Sequence, residues 1–268
     1  MRPPKYVQNV LLGVTAVALV GTHFVPSANQ SGPVLTAATT LVIGKPKPSD
    51  PVTTSTSTLA SNVQAALGAL SGAVAQLSHP KALDDAFRSY FAYKTAHPND
   101  VKKPYLYFVD YGLPSTTPRG YVFDMNSLKI VEGPFTVAHG RGSSTSQYGV
   151  PTKFSNTPNS AATSLGLYLT QATYDFHGHT GGQPYSSIGL RLQGVSDGFN
   201  TNALARRVVA HGAPYVTPTR AGRSEGCPAM EPARAKELLP KLAGGAMVFL
   251  FAPDKGWMAG DPWVGAAE

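Results

Sequence analysis

A mainly β fold is what this sequence predicts, and three observations carry the prediction. The chain holds 27 glycines and 23 prolines among 268 residues, a turn-rich composition without the fixed period of a collagen. Apolar residues make up 42% of it and its formal charge is only +7, so it is neither polar nor charged enough to stay disordered. From Pro104 onward, short runs of β-branched and aromatic residues alternate with Gly, Pro, Asn and Asp, the pattern of strands joined by turns. The length fits one globular domain with additional terminal segments.

Taken in order, Arg2 and Lys5 precede the apolar stretch Val10 to Val20, and small and polar residues including Pro26, Ser27 and Ala28 follow. That order is the order of a secretory signal. The apolar core falls short of the ~20 residues of a membrane span, so residues 1–28 are expected to be a cleaved export signal, with an uncleaved anchor as the alternative. Residues 29–58, rich in Pro, Ser and Thr, are expected to be a flexible linker, because they cannot bury enough apolar surface to offset chain entropy. Leu59 to Leu77, rich in Ala, Leu and Val and free of proline, predicts a helix. A second helix runs from near Pro80, with Leu83, Phe87, Tyr90 and Phe91 at helical spacing, and stops before Pro98. Together these make residues 59–103 an N-terminal helical cap.

Residues 104–268 hold the β domain. Strands are expected at 105–109, 120–123, 128–131, 135–138, 165–169, 188–192, 208–210 and 247–251, mostly antiparallel, with a turn at Asp124 to Ser127 and a short helix near Pro232 to Leu239.

Composition also excludes. A lone cysteine rules out an internal disulfide framework and any multi-cysteine zinc or iron–sulfur site. Lysine and arginine outnumber acidic residues 22 to 15, but no basic run exceeds a pair such as Lys102-Lys103 or Arg206-Arg207, which argues against nucleic acid. A cationic surface remains, either merely solvated or attractive to an anionic polymer or membrane.

The lone cysteine is the candidate for chemistry. Cys227 sits in Arg223-Ser224-Glu225-Gly226-Cys227-Pro228-Ala229-Met230. A single cysteine is more often a small buried hydrophobe, yet polar flanks and Gly226 favour an exposed thiol, its pKa expected to be lowered by positive charge and backbone donors. His211 follows the strand Val208 to Ala210 and precedes Gly212, a place from which an imidazole can act as the base toward a thiol on a returning loop.

His211-Gly212 followed by Arg223-Ser224-Glu225-Gly226-Cys227 resembles the signature of the L,D-transpeptidases of the YkuD type, a His-Gly pair ahead of a Ser-x-Gly-Cys box. The runs Phe135 to Gly142, Gly149 to Asn156 and Ala203 to Phe251 look like a divergent branch of that family found in Gram-negative bacteria, and the likeness covers roughly Pro80 to Pro253. What the resemblance implies is a β-sandwich or barrel with short helices. It implies a cysteine acyltransferase of the cell envelope or periplasm that needs no cofactor or metal, works as a monomer and acts on peptidoglycan stem peptides. Cys227 would attack a stem-peptide carbonyl to give a thioester, His211 would serve as base and then acid, and the Gly212 carbonyl would orient the ring. Backbone N–H groups of Gly226 and Cys227 would hold the oxyanion. An amine, that of meso-diaminopimelate, would resolve the thioester into a cross-link; water would make the enzyme a carboxypeptidase. Usual members make 3-3 links, and the divergent branch points to 1-3 links from L-alanine.

The chain departs from the familiar pattern in one place. An arginine shortly after the cysteine is replaced here by Pro228-Ala229, so Arg220 and Arg223 become candidates for its contact. Ser224, Arg223, His139, Arg141 and Tyr215 complete the candidate substrate-binding set, with a structural role for His139 as the alternative to carboxylate binding. His177-Gly178-His179 resembles a fragment of a metal site but lacks a third ligand, and a loop role is the better expectation. Tyr168, Tyr174, Tyr185 and Tyr215 line a peptide groove or simply pack. A wall-binding protein without catalysis and a peptidase of ordinary proteins are the competing classes.

Overall fold

The computed structural model describes the backbone of residues 52–265 and the side chains of residues 58–265. These lie in the compact unit Ser49–Glu268. The expected signal, and the linker up to Pro51, fall outside the described residues.

Helix α1 spans Val52–Leu70, and a single 3-10 turn, Ser71–Ala73, follows it. The helix therefore begins inside the segment expected to be linker and stops earlier than Leu77. Ser71 and Gly72 are poor helix formers, and Ser71 Oγ donates to the Leu67 carbonyl, drawing the chain out of the helix. Helix α2, Ala82–Ala96, ends at His97 just before Pro98, where a proline disfavours helical backbone in the residue ahead of it. Asp84 and Asp85 lie in its first turn and Lys94 in its last, which suits the helix dipole.

The strands are β1 Tyr105–Asp110, β2 Gly120–Asp124, β3 Lys129–Phe135, β4 His139–Gly140, β5 Gly166–Thr180, β6 Gln183–Gly194, β7 Val209–Gly212, β8 Val216–Thr217, β9 Arg220–Ala221, β10 Arg223–Ser224, β11 Ala229–Met230 and β12 Met247–Phe251. Helices α3, Pro232–Leu242, and α4, Lys255–Gly260, complete the fold. Eight strands form one mixed sheet in the order β11-β7-β6-β5-β12-β1-β2-β3, and β4 with β10 and β8 with β9 form two small ladders. The mainly β class with a helical N-terminal cap is the fold observed. Three of the pairings, β1 with β12, β7 with β11 and β4 with β10, are parallel.

At the middle of the sheet, β12 (Met-Val-Phe-Leu-Phe) is buried at every position, as a strand covered on both faces must be. The register places Leu106 and Phe108 of β1 beside Met247 and Phe249 of β12 and Phe123 and Tyr121 of β2, so these side chains share a face. Helix α2 covers that face: Phe87, fully buried, meets Phe123 edge-on at 5.4 Å. Trp257 of α4 packs on Phe249 and Phe251. The Asp110 carboxylate ties the chain ahead of α2 to the end of β1 by accepting from Ser78 N and Oγ at 2.7 and 2.6 Å and from Gly112 N at 2.9 Å. On the opposite face Tyr107 stacks with Phe135 at 5.8 Å, and Arg234 of α3 lies over Phe135. That second face leads to the candidate site.

The hairpin of β5 and β6 is far longer than its apolar runs suggest. Its outer half, Thr173–Thr180 against Gln183–Leu190, projects past the sheet with polar residues on one side. His177 and His179 thus lie in a strand and not in a loop: His177 pairs across from Ser186, whose Oγ is 3.0 Å from Nδ1, and His179 pairs with Pro184. The isolated apolar positions there are too few for periodicity to reveal a strand. Helix α4 likewise escaped the sequence reading, because its six residues carry no periodic face.

Phe87 tests whether the cap is integral to the sheet. Phe87→Ala is expected to cost about 3–5 kcal/mol in urea unfolding followed by circular dichroism, with one cooperative transition; a loss below ~1 kcal/mol would mean the helices unfold separately.

Candidate active site

Strand β7 ends in His211 and Gly212, and β11 runs parallel beside it with Ala229 opposite His211 and Met230 opposite Gly212. Cys227 stands two residues ahead of Ala229, so strand pairing itself brings the thiol's loop to the imidazole. On its other side β7 pairs with β6, Gly189 facing His211.

His211 is held in one tautomer. Its Nδ1 lies 3.0 Å from the Gly212 carbonyl oxygen; a carbonyl only accepts, so Nδ1 carries the proton and Nε2 keeps its lone pair. Phe176, from the outer half of β5, stacks on the ring at 4.1 Å between centroids and 16° between planes. Burial lowers the imidazole pKa to about 4 against the opposing hydrogen bond to Gly212. At neutral pH the ring is therefore uncharged and able to take a proton at Nε2.

Cys227 is partly exposed, with Sγ 3.9 Å from the Arg207 carbonyl oxygen. Burial pushes the thiol up to about 11, although a backbone hydrogen bond from Val209 and the charge of Arg206 pull the other way. This corrects the expectation of a lowered pKa: the positive charge and the backbone donor are present, but desolvation outweighs them.

The loop that carries the thiol is fastened internally. Ser224 Oγ accepts from Gly226 N at 3.1 Å and donates to the Cys227 carbonyl at 2.7 Å. Two expectations change as a result. Ser224, buried, has its hydroxyl committed to the loop, and the Gly226 N–H is already engaged, which leaves the Cys227 N–H as the remaining one of the two expected donors. Gly226 itself is required by geometry, with φ at +121° and an added Cβ only 2.7 Å from the Ala162 carbonyl.

Sequence reasoning missed the arginine that bears on the thiol. Arg206 donates to the carbonyls of Ser155 and Ala162, both at 2.7 Å, and to the hydroxyls of Ser160 and Ser164. It thereby clamps the 155–164 loop beside Gly226. The candidates Arg220 and Arg223 are placed elsewhere: Arg223 donates to Ser144 O at 3.0 Å, and Arg220 lies over the Tyr148 ring. Arg141 is exposed and pairs with Glu225 at 2.7 Å. With Arg223 and Lys153 it lines a hydroxyl-rich cleft of about 390 Å³.

His139 has the structural role. It is fully buried, beyond the reach of a substrate carboxylate. Arg119 Nη2 donates to its Nδ1 at 3.0 Å, so the ring proton sits on Nε2, which has no partner among the described residues. Burial first, then the charges of Arg119 and Arg223, pushes His139 down to about 3.

The tyrosines divide. Tyr168 is buried and donates to the Ser164 carbonyl at 2.8 Å. Tyr185 and Tyr215 meet edge-on at 6.5 Å, and burial first, then the proximity of Cys227, raises the hydroxyl pKa values of both and of Tyr174. Tyr174, Phe176 and Tyr185 project from one side of the hairpin, where Gly178 and Gly189 leave room for the rings. They form an aromatic wall beside the thiol. Sequence reasoning singled out Tyr174 and Tyr185 as groove candidates and missed Phe176.

Strand pairing sets the loop that carries Cys227 beside the strand that carries His211, whose neutral ring is fixed by its neighbour's carbonyl; a thiol and an imidazole are the residue types that cysteine acyl transfer uses. The family model of the L,D-transpeptidase catalytic domain matches residues 75–251, and the chain belongs to that family. No curated protein matches the chain. Among solved structures it is similar to an L,D-transpeptidase from Mycobacterium smegmatis at 15% identity and TM-score 0.33, covering 56% of this chain and 59% of that one. It is also similar to LdtMt1 in complex with imipenem, at 14% identity and TM-score 0.33 over 55% and 59% of the two chains. A third, from Stackebrandtia nassauensis, shows 16% identity and TM-score 0.35 over 66% and 69%. The chain thus spans about three fifths of the length of the first two.

Gly226→Ala is expected to cost about 1–3 kcal/mol and to displace the loop, read as a fall in Cys227 alkylation by iodoacetamide; an unchanged rate would mean the +121° conformation is dispensable. The two buried histidines set a pH dependence. Their folded pKa values, about 4 and about 3, lie below the unfolded value, so the unfolded chain binds more protons beneath pH ~6.5. Stability is complete above that pH and falls as pH drops toward 4, by about 1.4 kcal/mol per pH unit for each histidine. His211→Asn should flatten the slope of urea-unfolding free energy against pH; an identical slope would show that His211 is not held neutral.

Proposed function

We propose that this chain is an exported peptidoglycan L,D-transpeptidase in which Cys227 is the nucleophile and His211 the general base. The observation that carries the reading is the His211 Nδ1–H bond to Gly212, made on the strand whose partner delivers Cys227, because it leaves Nε2 as the one basic atom available to the thiol.

The chemistry follows from the resting protonation states. Both groups are uncharged at neutral pH, so the thiol proton moves to His211 Nε2 as Sγ attacks the donor carbonyl. A tetrahedral oxyanion forms, and the Cys227 N–H faces it as a donor. Its collapse breaks the amide bond, and His211 returns the proton to the leaving amine, leaving a thioester. The amine of an acceptor stem peptide, with His211 again taking its proton, then attacks the thioester carbonyl and releases the Cys227 thiol. The new amide is the cross-link. The altered surroundings of the thiol, with Arg206 beside it and Pro228-Ala229 where the familiar arginine would stand, favour a 1-3 link from L-alanine to meso-diaminopimelate over a 3-3 link. Imipenem, bound by the similar LdtMt1, is expected to acylate Cys227 by the same attack.

Purified disaccharide-peptide muropeptides incubated with the protein and analysed by fragmentation mass spectrometry test the proposal. Dimers are expected with the wild type. Cys227→Ala should abolish them, and His211→Ala should slow them by about 10²–10⁴, both with unchanged far-ultraviolet circular dichroism. Shortened monomers alone would make the protein a carboxypeptidase, and intact muropeptides with a folded wild type would leave wall binding without catalysis.

A further inference from the structure

Beside the thiol lies a cleft of about 210 Å³ lined by Tyr174, Arg191, Leu204, Arg207, Val208 and Val209. Three observations connect it to Cys227. The Arg207 carbonyl lies 3.9 Å from Sγ, and Val209 supplies the backbone hydrogen bond to the sulfur. Tyr174, which lines the cleft, has a hydroxyl shifted first by its own burial and then by the nearby Cys227, Arg191 and Arg207. The cleft and the reactive atom therefore share one neighbourhood.

Its two arginines are charges without an acid. Among the described residues, neither Arg191 nor Arg207 pairs with a carboxylate, whereas Arg141 and Arg234 pair with Glu225 and Glu132. Arg191, exposed, instead lies over the Tyr174 ring, its guanidinium carbon 4.2 Å from the centroid, a contact that anchors its charge at the cleft. Arg207 is held in the left-handed region, φ +57°, a conformation uncommon for a residue other than glycine. Hydrogen bonds from Arg207 N to Leu204 O at 3.0 Å and from Val208 N to Ala203 O at 2.9 Å impose it. The one turn thus sets the carbonyl toward the thiol and the side chain along the cleft. A left-handed residue held by two backbone hydrogen bonds, a guanidinium anchored on an aromatic ring and apolar walls are the features of a preorganised anion site.

We infer that this cleft is a carboxylate-binding subsite, in which Arg191 and Arg207 hold a carboxylate of the peptide whose carbonyl Cys227 attacks, while Leu204 and the valines meet its aliphatic part. The inference rests on Cys227 being the nucleophile of the proposed transpeptidase, and it adds how the donor is recognised. A guanidinium pair selects a free carboxylate over its amide. Arg191 and Arg207 are specificity-determining residues here, and neither takes part in proton transfer.

Competitive alkylation reads the subsite directly. Iodoacetate and iodoacetamide differ only in carrying a carboxylate or an amide, so the ratio of their rates at Cys227 reports anion binding, while any change in thiol pKa cancels. The wild type is expected to favour iodoacetate by about tenfold relative to a free thiol. Arg191→Gln and Arg207→Gln should each reduce the ratio several-fold, and the double variant should bring it to the free-thiol value, with unchanged thermal unfolding. A double variant that keeps the wild-type ratio would overturn the subsite. The second arm uses stem peptides with free carboxylates and peptides amidated either at the second residue or at diaminopimelate. KM should rise in the variants for the free peptides only, and the amidation that removes the effect identifies the carboxylate. Peptides that fail to react with the wild type, beside an arginine-dependent alkylation ratio, would refute the transpeptidase reading and leave the anion site standing. Peptide turnover indifferent to both arginines would refute the subsite alone.

Discussion

A buried guanidinium with no carboxylate in contact organises the site from behind. Arg119 is fully buried, and it donates from Nε and Nη2 to the Val137 carbonyl, from Nη1 to the Leu113 carbonyl and from Nη2 to His139, while lying 4.7 Å over the Tyr111 ring. Burial lowers its pKa to about 10, so the charge persists at neutral pH. Taking such a charge out of water is expensive unless every donor finds an acceptor. The chain meets that demand by folding 113 and 137–139 around it. The consequence reaches the thiol: His139 pairs with Arg223, and Ser224 pairs with Gly140, so the strand leading into the Cys227 loop hangs on the segment that Arg119 holds. Tyr111 reinforces it by donating to the Ala138 carbonyl at 3.0 Å.

A second constraint comes from the opposite side. Arg206 gathers the 155–164 loop with hydrogen bonds to carbonyls and hydroxyls, and the Ala162 carbonyl that it binds is the atom that excludes a side chain at position 226. The cysteine loop is thus set between two arginines, neither of which faces the solvent freely. One consequence is electrostatic. Arg206 is near enough to favour the thiolate, yet desolvation outweighs it and keeps the thiol protonated at neutral pH.

The pairing of a neutral thiol with a neutral imidazole matters for mechanism. With folded pKa values of about 11 for Cys227 and about 4 for His211, the ion pair is not the resting state. In the proposed reaction, charge separation waits for an acyl donor whose developing oxyanion a backbone donor can meet. A thiol that rests protonated is also less open to adventitious oxidation, which proceeds through the thiolate.

How much of this was legible follows from the range of each interaction. Local rules wrote the central strands, because runs such as Met247 to Phe251 combine apolar character with turn residues at both ends. They also wrote helix α2, bounded by Pro80 and Pro98, and helix α3, which opens on Pro232. Cys227, His211 and Gly212 were legible as a motif because its members are close in sequence. The outer half of the β5–β6 hairpin was not, since its stability comes from cross-strand pairing and its polar face hides any alternation. Arg206 read as half of an ordinary basic pair, and its contacts lie more than forty residues away along the chain. Arg119, Phe176, Arg191 and Arg207 were silent for the same reason. Residue types and their short-range order determined the fold class, the likeness to the family and the two residues that meet in its motif. Tertiary structure alone decided their protonation states, the commitment of Ser224 and the Gly226 N–H to the loop, and the arginines around the thiol. Burial and charge contact are properties of where distant segments meet, and no local pattern encodes them.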